Sequence, residues 1–403
     1  MSNRPTFILK PREEDRLLRG HPWVYDNEIA RVIGEPAPGD EVSLSSTKGV
    51  FLGSALYSPS SRIRARRYSL KDEAFDEAFI AGRLALARER RRASRDLARD
   101  SYRAVFAEAD GLPGLIVDRY AEASGGRNYL SIQILARGLA ARRDALLAAL
   151  HKLYRPTGII ERGDEIVREL EGLGPGEGVL AGSVPETFVI RENGLEFEVS
   201  LGSGQKTGWY LDQRENRAAA AAYAPGRRVL DLFSNQGGFA LAAAARGAES
   251  VLAVDVSAAA LGAARANAAR NGLAPKLEAR EDDVFDFVRA EKKAGSRYGL
   301  VILDPPAFAK SKAALDGATR GYKDLNMRAL KLLEPGGVLA TFSCSYWMSR
   351  ERFLWALETA ACAAHVSLRY LQELGQPADH PMISGYPESR YLKGFIVEVH
   401  PES

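Results

Sequence analysis

From about Glu215 the chain alternates short apolar runs with alanine-rich stretches, and this alternation restricts its fold more than any other feature. The runs are Arg228–Phe233, Ser250–Val256, Lys276–Glu281, Gly299–Asp304 and Gly337–Ser343. A helical stretch at Arg350–Ala364 follows, then Ser367–Glu373 and a last run at Leu392–Val399. Buried strands that alternate with helices specify a parallel sheet covered on both faces, the doubly wound α/β arrangement. Ligands of such sheets bind beyond the carboxyl ends of the strands, where the strand order reverses.

Length limits what precedes this unit. At 403 residues the chain exceeds one core and, at roughly 150 residues per domain, holds two or three. Short strands at Thr6–Leu9, Glu41–Leu44, Val50–Tyr57 and Ile63–Tyr68, separated by Gly/Pro turns, predict a small β-rich barrel over residues 1–70. Residues 71–190 read as an α+β domain. Its first helix places Phe79, Leu86, Ala93 and Leu97 at helical spacing, with Arg88, Arg91, Arg92, Arg95 and Arg99 along another face. Such a stripe is either a solvated face or an RNA contact. Residues 191–214 form a connecting segment whose Asn193-Gly194 signals a hairpin, and residues 215–403 form the alternating unit.

Charge and cysteine content exclude several classes. Lys+Arg number 55 against 52 Asp+Glu, so a net charge of +3 confines any nucleic-acid contact to local patches such as Arg62–Arg67 and Arg88–Arg99. Two cysteines, Cys344 and Cys362, supply neither a disulfide framework nor a zinc site, so no metal is expected. There is no apolar signal region and no membrane-length apolar run, which predicts a cytoplasmic protein with no membrane partner.

The strongest local signal is Val229-Leu-Asp-Leu-Phe-Ser-Asn-Gln-Gly-Gly-Phe239: a strand ending in an acid, a glycine-paired turn, then a helix. Glycines let the backbone approach a ligand, and the helix start offers unpaired N–H groups. Asp255 ends the next strand, where a carboxylate can take both hydroxyls of a ribose. Asp282-Asp283-Val284 ends the third, where an acid can hold an adenine amino group. The glycines lack the G-x-G-x-x-G spacing of dinucleotide sites. They resemble the S-adenosylmethionine (SAM) site of class I methyltransferases. Upstream, Lys206-Thr-Gly-Trp-Tyr-Leu-Asp-Gln-Arg214 reads either as a cap on the first helix or as a lid over the methionine end of the cofactor.

Two further strand ends carry chemistry. Asp304-Pro-Pro-Ala-Phe308 follows the fourth strand and Phe342-Ser-Cys-Ser345 the fifth. An acid-Pro-Pro-aromatic motif serves amino methyltransferases, which need no cysteine. Carbon 5 of a pyrimidine is not nucleophilic until a thiolate adds to carbon 6, which makes Cys344 a candidate nucleophile and Asp304 its partner on the base. The alternative for Cys344 is a small buried hydrophobe. Cys362, within an alanine-rich helix, reads as core filler.

The whole chain resembles the ribosomal RNA large subunit methyltransferase I family. The marks are Lys206–Arg214, Asp304–Phe308, Gly321-Tyr-Lys-Asp-Leu-Asn326, Phe342–Ser345, Ala378-Asp-His-Pro381 and Tyr391-Leu-Lys-Gly-Phe395. That resemblance implies a multidomain α/β protein: an N-terminal RNA-binding PUA pseudo-barrel, a central α+β domain, and a C-terminal Rossmann-like class I methyltransferase with a doubly wound sheet. It implies a SAM-dependent 23S rRNA (cytosine-5)-methyltransferase with Cys344 as nucleophile and Asp304 beside it. SAM contacts are then expected from Lys206, Tyr210, Asp212, Gln213, Arg214, Asp231, Phe233, Ser234, Asn235, Gly237, Gly238, Asp255, Val256, Ser257, Asp283, Val284, Asp304 and Pro305. In two respects the chain departs from its relatives. Pro305-Pro306 leave no second cysteine beside the fourth-strand motif, so the group that removes the carbon-5 proton is not identified. The glycine loop reads Phe233-Ser-Asn-Gln where relatives more often carry a Tyr-Thr pair.

A base inside a duplex cannot reach such a crevice, so the target must be single-stranded or flipped. Phe308, Lys310, Arg320, Tyr322 and Lys323 are the candidate RNA contacts, together with Lys312. His380 before Pro381 either meets the base or fixes a turn. Ribosomal RNA is the expected partner, with a homodimer left open. The alternatives are methylation of an exocyclic adenine or guanine nitrogen, or a non-catalytic RNA-binding assembly factor.

Overall fold

The computed structural model describes residues 4–176, 178–202, 208–309 and 311–401, so Lys206 and Lys310 lie outside the described residues. The chain forms two compact units. One comprises Met1–Arg191, Val199–Leu211 and Ala378–Ser389; the other comprises Glu192–Glu198, Asp212–Pro377 and Arg390–Ser403. Residues 378–389, placed by sequence with the C-terminal domain, therefore pack within the first unit.

The first unit holds two sheets. Strands β1 (Thr6–Leu9), β2 (Trp23–Tyr25), β3 (Ile29–Ile33), β4 (Glu41–Ser45), β5 (Phe51–Tyr57) and β6 (Ile63–Ser69) run in the order β2-β6-β5-β4-β1-β3. Phe7, Leu9, Val24, Val42, Leu44, Ala55 and Ala65 fill their core, together with Leu17 of helix α1 (Glu14–Leu18). The second sheet runs β11-β10-β9-β8-β7, from β7 (Tyr102–Phe106), β8 (Leu115–Ala121), β9 (Asn128–Ile134), β10 (Gly158–Glu161) and β11 (Gly178–Gly182). Its helices are α2 (Glu77–Arg92), α3 (Arg137–Ala140), α4 (Arg143–Tyr154) and α5 (Glu165–Leu170).

Helix α2 corrects the arginine stripe. Its buried face is Ile80, Leu84, Ala87 and Arg91, while Leu86 is exposed. The Arg91 guanidinium donates to both Asp110 oxygens at 2.7 Å and 2.7 Å, and Arg95 donates to both oxygens of Asp379 at 3.2 Å and 3.1 Å. Although burial pushes the Asp379 carboxyl up, the His380 hydrogen bond and Arg95 hold it well below the usual range. His380 is fully buried, with Nδ1 3.1 Å from Asp379 Oδ1, so it fixes this turn. The Arg62–Arg67 run is likewise partly structural. Buried Arg66 bonds Glu108 at 2.8 Å and Glu171 at 2.9 Å, and Arg67 donates to the carbonyls of Leu17 and Leu52. Arg62, Arg92 and Arg99 stay exposed.

Strands β12 (Phe188–Glu192) and β13 (Leu195–Val199) pair as a hairpin. Asn193 and Gly194 both take left-handed φ, 50° and 84°, which is the turn their sequence predicts.

The second unit carries a seven-stranded sheet: β14 (Arg228–Leu232), β15 (Ser250–Asp255), β16 (Leu277–Glu281), β17 (Tyr298–Leu303), β18 (Leu333–Ser343), β19 (Val366–Gly375) and β20 (Lys393–Pro401). The order is β16-β15-β14-β17-β18-β20-β19, so the strand order reverses between β14 and β17. The first five strands are parallel, but β20 inserts antiparallel between β18 and β19. The sheet is thus mixed rather than wholly parallel. Helices α6 (Arg214–Ala221), α7 (Gly238–Ala245), α8 (Ala258–Arg270), α9 (Val284–Ala294), α10 (Leu315–Leu330) and α11 (Arg350–Ala364) accompany it. Leu230, Leu232, Val301, Leu303 and Leu339 join one core with residues of α9, α10 and α11. Alternate positions such as Val229 and Asp231 point to the other side of the sheet. No helix among the described residues is long and apolar enough to cross a membrane.

Candidate active site

The loop after β14 is wound so tightly that Phe233, Asn235 and Gly237 take left-handed φ of 60°, 48° and 78°. Carboxylates hold it. Asp255 accepts from the Asn235 amide and the Ser257 amide, each at 2.9 Å, and Asp231 accepts from Ala240 N at 2.9 Å. One N–H of the α7 start is therefore taken by protein rather than left for a ligand. The glycine pair is also a packing requirement. A Cβ on Gly237 would lie 2.8 Å from Leu241 and 2.9 Å from Ala264, and one on Gly238 would lie 2.6 Å from Arg217 Nε.

Asp283 caps α9, accepting from Phe285 N at 2.9 Å and Asp286 N at 3.2 Å, with Val284 buried behind it. Asp282 pairs instead with Arg280 at 3.0 Å. Ser257 caps α8, while Val256 is exposed beside it. Asp231, Ser234, Asn235, Asp255 and Asp283 thus all sit at the carboxyl ends of β14, β15 and β16.

Asp304 stands at the end of β17, across the reversal point. Burial, then the Asp212 charge, push its carboxyl up to about 7, against Arg217 and a Gln213 hydrogen bond. Gln213 Oε1 accepts from Asn216 Nδ2 at 2.6 Å, which leaves its amide N–H₂ to donate toward Asp304. Asp212 accepts from Tyr391 O–H at 2.6 Å, and Arg217 bonds Glu192 at 2.7 Å. Burial, then Asp304, hold Asp231 well above the usual carboxylate range. Pro305 is buried and Arg214 is half-buried at the start of α6. Tyr210 is exposed and belongs to the other unit.

Cys344 follows β18 directly, and β18 is the parallel neighbour of β17, with Thr341 opposite Leu303. The thiol is half-buried between fully buried Ser343 and Ser345. Ser343 Oγ donates to Tyr322 O–H at 2.9 Å, and that hydroxyl lies 3.0 Å from Ser345 Oγ. Ser345 Oγ in turn accepts from Ala309 N at 3.3 Å. The Cys344 and Asp304 motifs are thereby joined through Ser345, which Tyr322 also holds.

Tyr322 is fully buried, so it does not present a face to RNA; its ring packs at a tilt against half-buried Phe308, with centroids 4.7 Å apart. Arg320 is exposed and Lys323 half-buried on the same helix. Cys362 is exposed, not core filler, because its position on α11 faces outward.

Two features were missed from sequence. Lys393 of β20 is buried, and its Nζ donates to the carbonyls of Ser345 at 2.7 Å and Tyr391 at 2.8 Å. Tyr346 and Trp347, directly after the Cys344 motif, are 46% and 40% exposed and form an edge-to-face pair at 5.1 Å. The adjacency of two aromatics to Cys344 was the available signal; Lys393 lay within the Tyr391–Phe395 mark, but nothing local gave it a role. Among the described residues no group of three His, Cys, Asp or Glu side chains could hold a metal.

Residues 175–392 match the family model of S-adenosylmethionine-dependent methyltransferases, and residues 7–70 match that of PUA-like domains. The chain is 44% identical to ribosomal RNA large subunit methyltransferase I of Erwinia tasmaniensis, over 98% of this chain and 99% of that protein. It is 44% identical to the protein of the same name from Photobacterium profundum, over 98% of each. The chain belongs to the ribosomal RNA large subunit methyltransferase I family. The Klebsiella pneumoniae member is 41% identical over 98% of both chains. Solved structures share the fold: one from Streptococcus mutans assigned as a SAM-dependent methyltransferase has a TM-score of 0.83 at 23% identity, covering 98% of this chain and 99% of its own. A second, of a methyltransferase-type protein in complex with SAH, has a TM-score of 0.84 at 24% identity and the same coverage.

SAM is the methyl donor of this family, and the residues at the strand ends fit it. Asp231 Oδ1, Asp212 Oδ1 and Ser234 Oγ are buried without a hydrogen-bond partner among the described residues. Such orphaned polar atoms are free to bond a ligand. Asp255, fixed by two amides, keeps lone pairs for ribose hydroxyls.

Proposed function

We propose that this protein methylates carbon 5 of a cytosine in 23S ribosomal RNA by way of a Cys344 thiolate added to carbon 6. The observation that carries this is the placing of Cys344 and Asp304 at the ends of adjacent parallel strands, joined by the Ser345–Ala309 hydrogen bond. The relatives' names supply ribosomal RNA as substrate class, and the PUA-like domain is consistent with it. SAM, when bound at Asp231, Ser234, Asp255 and Asp283, supplies an electrophilic methyl group.

Cys344 and Asp304 act on the base. The Cys344 thiolate bonds to carbon 6, and the electron pair of the 5,6 double bond makes carbon 5 nucleophilic. Asp304, protonated up to about pH 7, donates to the N3 edge of the cytosine and stabilises the charge that forms there. After transfer, a base takes the carbon-5 proton, the C–H electron pair restores the 5,6 double bond, and the C6–S bond breaks to release the thiolate. Exposed Tyr346 and Trp347, at the lip beyond Cys344, are suited to stack on bases next to a splayed target.

The test is tritium transfer from labelled SAM into ribosomal RNA, followed by nucleoside analysis. The expected product is 5-methylcytidine. An N-methylated purine would replace this account with amine methylation through the Asp304-Pro305-Pro306 motif, and no transfer would favour an assembly factor.

A further inference from the structure

A buried lysine ammonium normally has a carboxylate beside it, because an isolated charge loses its hydration. Lys393 has none: the residue is 8% exposed and its Nζ bonds two neutral carbonyls, those of Ser345 and Tyr391. Among the described residues no carboxylate lies within ion-pair distance of it. Two of its three protons are committed and one is left.

Its position supplies a different counter-charge. In the β18–β20 ladder Lys393 is the register partner of Ser343, the residue before Cys344. Its ammonium holds the carbonyl of Ser345, the residue after. The lysine thus straddles the cysteine along the backbone, and the Cys344 sulfur is the anion-forming group that acts on its charge.

We propose that Lys393 is the counter-ion that keeps the Cys344 sulfur as the thiolate. When the lysine is the neutral amine, its lone pair takes the thiol proton, leaving S⁻ and NH₃⁺, so one proton moves and no redox partner is needed. Burial draws the lysine down to about 8, against the raising effect of Cys344, and makes it able to exchange that proton near neutrality. The same charge then favours the thiolate as it leaves carbon 6. Lys393 is a positioning residue in this scheme, acting through Cys344, and the scheme rests on Cys344 being the nucleophile.

Other titratable groups nearby are engaged elsewhere. Tyr322 of α10 bonds Ser343 and Ser345, Glu373 of β19 pairs with Arg350 of α11, and Asp212 accepts from Tyr391. Tyr322 would disfavour a negative sulfur only if it lost its own proton, and burial pushes that hydroxyl up.

The test uses the full chain carrying Cys362→Ser, so that Cys344 is the single thiol. Iodoacetamide alkylation is followed by intact mass across pH. The midpoint is expected below the ordinary thiol value of about 8.5. Lys393→Gln keeps donors for the carbonyls but removes the charge; it should raise the midpoint by about one unit, slowing alkylation at pH 7 about tenfold. Lys393→Arg should keep the midpoint low. An ordinary midpoint in the parent, or the same low midpoint in Lys393→Gln, overturns the proposal. If Lys393→Gln does not fold, a raised midpoint in Lys393→Arg does so instead. A low, charge-dependent midpoint in a protein that makes no 5-methylcytidine would leave the ion pair standing and remove only the nucleophile reading.

Discussion

Ser345 Oγ accepts the Ala309 amide proton at 3.3 Å, which fastens the loop bearing Asp304 to the strand end bearing Cys344. Both loops emerge from parallel neighbours, but parallel strands alone leave their exit loops free to diverge. The Tyr322 hydroxyl, between Ser343 and Ser345, closes the lattice from α10. The proposed nucleophile and the proposed base-binding acid, held this way, need little reordering when substrate arrives.

Tyr322→Phe tests that lattice. Two buried serine hydroxyls lose a partner, and leaving such groups unsatisfied costs about 1–3 kcal/mol. Chemical denaturation should show that loss, and methyl transfer should fall about tenfold as the loops loosen. SAM affinity, measured by calorimetry, should hold. Parent-like stability and turnover would mean the hydroxyl network does not position the site.

Asp304→Asn tests the acid. Methyl transfer should drop by a factor on the order of 10²–10³. The stability profile has a definite sign. With a folded-state value of about 7 against about 3.9 unfolded, the folded chain holds a proton that the unfolded chain has lost across that window. This contribution is complete at acid pH and is lost as pH rises toward and through 7. The variant lacks it, so its stability relative to the parent should improve from pH 5 to pH 8. A pH-independent difference between the two would contradict the raised carboxyl.

For Asp255→Ala the readout is calorimetry with SAM. Loss of a charge-assisted acceptor is worth about 1.5–3 kcal/mol, so affinity should weaken roughly tenfold to a hundredfold. RNA binding by filter assay should change little. If RNA binding collapses while SAM affinity stays, the ribose assignment is wrong.

Trp347→Ala addresses the exposed aromatic pair. Stacking is worth about 1–3 kcal/mol per base, so RNA affinity should fall by about tenfold while SAM binding is preserved. Unaltered affinity for ribosomal RNA fragments would remove Trp347 from the interface.

The alternating strands and the acids at their ends were legible because burial and the ladder impose local periodicities on the residues that obey them. Asp231, Asp255, Asp283 and Asp304 followed directly from that pattern. Tertiary partners were not legible. Arg91 and Arg95 look like a solvated stripe until Asp110 and Asp379 are found beside them, the latter nearly three hundred residues away. Tyr322 sits in a segment rich in cations, but its period on α10 turns it into the core. Lys393 stood in a family mark without a role, since only the antiparallel register of β20 with β18 sets it opposite Ser343, the residue before Cys344.

The central claim is a covalent bond between Cys344 and carbon 6 of cytosine, and it can be trapped. Ribosomal RNA prepared with 5-fluorocytidine has no carbon-5 proton to lose, so the methylated adduct cannot release the thiolate. Incubation with SAM should yield a covalent protein–RNA species whose attachment maps to Cys344 by mass spectrometry and is absent in Cys344→Ala. Methyl transfer to the fluorinated RNA with no such species would contradict the account.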